Sequence, residues 1–218
     1  MALTDQSTRI RTGEELDADV IDAYLKANIP GLSGAAKISQ FPGGASNLTY
    51  LLEYPQQEFV LRRPPFGHKA KSAHDMGREY RILNQLNAGF PYCPKAYVHC
   101  TDESVIGSEF YVMERVNGII LRADLPAELN FSPEQTTQLC KSFIDKLVEL
   151  HNVDYQACGL GELGKTEGYV ARQISGWSDR YEKALTPDAP LWTEVKAWLN
   201  EKMPADHTKS AIVHNDYR

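Results

Sequence analysis

The apolar positions of the chain change their period twice. Leu16, Val20, Ile21, Tyr24 and Leu25 recur at helical spacing. Thr12 and Glu15 stand before them at capping-box spacing, and Pro30 and Gly31 end the predicted helix. From Ala35 to Arg63 the pattern shortens to strands, expected over residues 36–41, 48–54 and 59–62. Pro42 to Ser46 form a glycine-bearing turn after the first strand, and Pro55-Gln56-Gln57 joins the next two as a hairpin. A second helix is expected over about residues 73–86, with Met76, Tyr80, Leu83 and Leu86 on one face. Residues 97–100 and 109–115 read as two further strands, with a turn around Gly107. Beyond Gly118 the period is helical. Ser132, Pro133 and Gln135 make a start signal, and Leu139, Phe143, Leu147 and Leu150 form the stripe behind it. Two more helices are expected to carry Ile174, Trp177, Tyr181 and Leu185, then Leu191, Val195, Trp198 and Leu199. A short buried strand, residues 211–213, leads into His214-Asn215-Asp216-Tyr217.

Strands with one helix between them, followed by helices, predict an α+β protein. The expected lobes are a sheet-rich one over residues 1–116 and a helical one over residues 117–218, with ligands favouring the cleft between lobes. Composition narrows the partners. The net charge of -6 comes from 23 basic and 29 acidic residues, which argues against a nucleic-acid backbone as the main partner but not against a nucleotide. Cys93, Cys100, Cys140 and Cys158 form no C-x-x-C pair, and no histidine stands at zinc spacing, so reduced thiols are expected. No basic and apolar leader and no long apolar stretch is visible, which predicts a cytoplasmic protein without a membrane span.

Five segments are candidates for chemistry. Gly43 and Gly44, with Ser46 and Asn47 after them, let backbone N–H groups approach phosphate oxygens, although a plain hairpin turn fits the same residues. Arg62 ends a strand after that turn, and alternation turns it away from Leu61. It is the expected phosphate cation, whereas Arg63, next to Pro64, reads as a solvated surface arginine. Glu79, at the edge of the stripe of the second helix, is the expected anionic partner of Arg62. Glu114 and Val116 lie where a strand runs into a linker and leaves backbone groups for an adenine ring. His214 and Asp216 form H-x-D at a loop tip, where an aspartate accepts a proton from, or orients, an attacking hydroxyl. The nucleophile elbow G-x-S-x-G is absent, and so are the Walker A and protein-kinase glycine loops.

The order of these segments resembles that of the aminoglycoside phosphotransferase and choline kinase-like family. The chain most resembles the phosphotransferase domains related to those fused to acyl-CoA dehydrogenases. The resemblance rests on Gly43 to Asn47, Phe59 to Pro65, Arg78 to Arg81, Ser104 to Glu114, Ala171 to Trp177 and Val213 to Arg218. It implies a protein-kinase-like two-lobed fold, truncated in the C-terminal lobe. It implies ATP or GTP as phosphate donor, Mg2+ in the complete protein, and a small hydroxylated acceptor such as a hydroxy-acyl compound. Asp216 becomes the implied catalytic base, with His214 beside it, and Arg62 and Glu79 the implied phosphate-side pair. Two departures stand out. Asn215 occupies a position where the family has glycine, and the family's asparagine and later aspartate for magnesium fall after Arg218. The expectation is therefore that these 218 residues do not turn over by themselves, with a non-catalytic nucleotide-binding or interaction module as the alternative.

Overall fold

The computed structural model describes residues 4–42, 47–66, 75–121, 124–206 and 209–217. Five strands form one antiparallel sheet in the order β1-β2-β3-β5-β4. They are β1 (Lys37–Gln40), β2 (Leu48–Glu53), β3 (Glu58–Arg63), β4 (Ala96–Cys100) and β5 (Phe110–Glu114). Each lies within about two residues of the sequence expectation, because alternation marks a strand with two unlike faces. The Tyr54 N–H donates to the Gln57 carbonyl at 3.0 Å and closes the predicted hairpin. Gly107, at φ 76°, supplies the left-handed residue of the turn before β5.

Helix α1 (Ala18–Asn28) covers one face of the sheet. Its Ile21 and Leu25 join Leu48, Tyr50 and Leu52 of β2, Phe59 and Leu61 of β3, and Phe110 and Val112 of β5 in a single core. The rings of Tyr54 and Tyr97 meet Phe59 edge to face at 5.9 and 5.1 Å, which adds directional packing to the burial. The start of α1 differs from the capping box read at Thr12. Asp17 is the N-cap, accepting from the N–H groups of Asp19 and Val20, while Glu15 folds back on the Gly13 N–H. The aspartate lies directly before the first helical turn, and a box five residues upstream cannot reach the helix's unpaired donors.

Arg63 is also corrected. It alternates onto the core face with Leu61 and is 2 % exposed, so it is not a solvated side chain. Its Nη1 donates to the Ile106 carbonyl at 3.0 Å, and its guanidinium lies 3.9 Å over the Phe66 ring. Buried backbone oxygens and an aromatic face replace water around the cation.

Helix α2 (Met76–Leu86) lies against β4 and β5, capped by the Asp75 carboxylate on the Arg78 N–H at 2.7 Å. Residues 73 and 74 of the expected helix fall outside the described residues. Helix α3 (Pro133–His151) starts on the reciprocal box expected from the sequence: the Gln135 N–H donates to Ser132 Oγ, and the Ser132 N–H to Gln135 Oε1.

The chain divides into two compact units, residues 1–150 and 151–218. This division follows packing, whereas the boundary near Val116 follows the change from strands to helices. In the second unit α4 (Tyr169–Lys183) packs with α5 (Thr193–Glu201). The helical stripes exist, but they are less buried than expected. On α3 only Leu150 is buried, and Phe143 is 40 % exposed; Trp177 and Trp198 are exposed on α4 and α5. One helix pair offers too little facing surface to cover two such stripes. The expected strand at residues 211–213 is not formed, for no neighbouring strand among the described residues pairs with it, and Val213 is exposed. Among the described residues, no helix is long and apolar enough to cross a membrane.

Candidate nucleotide site

The second face of the sheet carries the candidate site. Alternation puts Val60 and Arg62 of β3 on this face, opposite to Phe59, Leu61 and Arg63. Register then completes two rungs. Val60 lies across from Met113, and Arg62 across from Tyr111. Successive same-face residues are roughly 7 Å apart along a strand, so an apolar rung and a charged rung are neighbours.

The apolar rung floors a cavity of about 600 Å³. Thr49 contributes from β2 and Phe41 from the residue just after β1, and Glu114 to Ile120 form the linker wall. Thr4 and Asp5 close another side, placed there by antiparallel bridges from Thr4 to Ile119 and from Thr8 to Gln40. The volume lies within the range of small-molecule sites, and an apolar slot with a backbone edge suits a planar heterocycle. Glu114 and Val116, expected to offer backbone contacts, both line this cavity. The Glu114 N–H is already taken by the Lys95 carbonyl at 2.8 Å, so that N–H is not offered to a ligand. Val116 N–H has no hydrogen-bond partner among the described residues.

The charged rung is a small network. Arg62 Nη1 lies 3.1 Å from Glu79 Oε2, so the pair expected from the sequence is formed. Tyr111 Oη donates to the same Oε2 at 2.9 Å and accepts from Arg62 Nη1 at 3.3 Å. Asn47 Nδ2 donates to the other oxygen, Oε1, at 3.0 Å. Asn47, expected on the nucleotide, holds Glu79 through its side-chain amide. Burial pushes the Tyr111 phenol well above its ordinary pKa, so the hydroxyl stays protonated and donates. Arg62 Nε is buried without a hydrogen-bond partner. Nη1 is thus held and Nε is enclosed, while the side chain as a whole stays 31% exposed.

Sequence reading missed Tyr111, although its alternation with Met113 was visible. Which residue of β3 faces it depends on register, and no local pattern states that. Gly43, Gly44 and Ser46 fall outside the described residues.

His214 and Asp216 belong to the second unit. The Asp216 N–H donates to His214 Nδ1 at 3.3 Å, and Asn215 between them adopts φ 61°. Asparagine tolerates this left-handed region better than most residues, which explains how it occupies a glycine-type position. Among the described residues, no three His, Cys, Asp or Glu side chains stand together as a metal-holding group.

The phosphotransferase enzyme family matches residues 37–218. Acyl-CoA dehydrogenase family member 11 of Gallus gallus is 36% identical over 224 residues, covering 100% of this chain and 28% of that protein. The Homo sapiens protein of the same name is 34% identical, covering 94% of this chain and 26% of its own. The chain thus spans little more than a quarter of the length of these relatives. A crystal structure described as an aminoglycoside phosphotransferase from Ralstonia eutropha superposes with a TM-score of 0.78 at 35% identity, over 93% of this chain and 59% of that one. The GDP complex of aminoglycoside 2'-phosphotransferase-IIIa gives a TM-score of 0.56 at 15% identity, over 86% and 59%, and supports the kinase-like fold alone.

Proposed function

The chain belongs to the phosphotransferase enzyme family, and from that premise we propose that it is an ATP-dependent phosphotransferase acting on a hydroxyl of a small molecule. One observation carries the proposal. Arg62 is anchored by Glu79 and Tyr111 yet keeps its buried Nε without a partner, one rung from an apolar cavity. A purine fits flat against the floor that Val60 and Met113 form, with the Val116 N–H and the Glu114 carbonyl as its polar contacts. The exposed part of the Arg62 guanidinium donates to the phosphate oxygens. The glycine turn with Gly43, Gly44 and Ser46 is assigned to the same phosphates by family resemblance.

Asp216 accepts the proton of the acceptor hydroxyl while the hydroxyl oxygen attacks the γ-phosphorus in line. The bond from that phosphorus to the bridging oxygen breaks, and ADP leaves. His214 holds the Asp216 backbone through its Nδ1. Magnesium, when bound, neutralises phosphate charge. Relatives named as acyl-CoA dehydrogenase family members support a hydroxy-acyl compound as the acceptor class. The nucleotide lobe of this reading spans residues 1–116 and the helical lobe residues 117–218, in the cytoplasm.

ATP at a hundred times its dissociation constant is expected to add about 2.7 kcal/mol to stability. For a chain of this size that raises the melting temperature by roughly 5–10 °C. No rise at millimolar ATP, with or without Mg2+, contradicts the proposal. A rise without transfer to any hydroxylated acceptor supports a nucleotide-binding module instead.

A further inference from the structure

We propose that the Tyr111 hydroxyl is the positioning group that presets Arg62 for the phosphates of the donor. The inference rests on the nucleotide reading above. Tyr111 is 1 % exposed, so water does not take the place of its partners. A phenylalanine fills the same space on β5, and the hydroxyl therefore does something that packing does not. It lies between the two members of the ion pair, accepting from Arg62 Nη1 and donating to Glu79 Oε2.

The network fixes both ends of the pair. Each carboxylate oxygen of Glu79 receives a neutral donor, Asn47 on Oε1 and Tyr111 on Oε2. That locks the carboxylate plane and the Glu79 rotamer. Arg62 then has two acceptors at a single nitrogen, Nη1, which fixes the roll of its planar guanidinium. Nε is left on the edge away from those acceptors. With the hydroxyl removed, the ion pair survives through one contact, and a single contact lets the plane rotate. Ordering the guanidinium is then a cost of binding the phosphates, whereas in the native protein it is already met. The base-binding rung, Val60 and Met113, is untouched by the change.

Tyr111→Phe separates this role from a merely structural one, because Arg62 meets phosphates and not the base. Calorimetric titrations with ATP and with adenosine provide the readout. Tyr111→Phe is expected to raise the ATP dissociation constant about tenfold and to change that of adenosine by less than about twofold. In an Arg62→Met background the same substitution is expected to leave ATP affinity unchanged, since the hydroxyl acts through Arg62. Equal losses for both ligands, no loss for ATP, or an undiminished effect in the Arg62→Met background overturns the inference. A native protein that binds neither ligand overturns the nucleotide reading itself.

Discussion

In a form of the protein that turns over, Asp216→Asn is expected to lower phosphate transfer from ATP to a hydroxylated acceptor about a thousandfold, within the usual range for loss of a general base. ATP affinity is expected to stay within about twofold of native. Asparagine has nearly the size of aspartate, and the backbone N–H that donates to His214 Nδ1 is unaltered. The left-handed Asn215 that shapes the turn is also unaltered. What disappears is the capacity to take a proton from the attacking hydroxyl. ADP release with a panel of hydroxy-acyl acceptors measures the first quantity, and calorimetry the second. Transfer retained above a tenth of native removes Asp216 from the role of base. A matching loss of ATP affinity assigns it to nucleotide binding instead.

Arg62→Met is the second large effect. It is expected to weaken ATP about a hundredfold, equivalent to roughly 2.7 kcal/mol, with adenosine nearly unchanged. Hydrogen bonds to charged groups contribute about 1.5–3 kcal/mol each, and the exposed part of the guanidinium has the donors for such bonds. Methionine keeps the apolar stem, so the sheet face remains packed. Glu79 keeps its donors from Asn47 and Tyr111, so the substitution does not strand a carboxylate. The Arg62 and Glu79 side chains are about a third exposed, at 31% and 32%, and the pair itself therefore adds under about 1 kcal/mol to folding. A folded variant that binds ATP as tightly as native places the phosphates elsewhere.

These two expectations start from residues that were legible in the sequence. Strand alternation, helix position and the family resemblance together pair Arg62 with Glu79, and the structure joins them at 3.1 Å. The Ser132 box was legible because its residues are local and their donors are close by. The α+β order was legible because periods of 2.0 and 3.6 residues differ clearly. Other features depend on distant partners. Tyr111 reaches Arg62 through the register of β3 with β5. Arg63 is buried because Ile106 and Phe66 come to it from other segments. Thr4 and Asp5 wall the cavity because two isolated bridges carry the N-terminal segment there. An apolar run such as residues 211–213 states a preference for extension but cannot supply the neighbour that a strand requires. Asp17 outcompeted the upstream box because the helix begins later than its first apolar residue, Leu16.

The central claim is that one face of the sheet holds the base at the linker and the phosphates at Arg62. An NMR titration that follows the Val116 amide and the Arg62 Nε–H tests it most directly. ATP is expected to shift both resonances, and adenosine the Val116 amide alone. Shifts at neither position under saturating ATP, or shifts at both with adenosine, contradict the account.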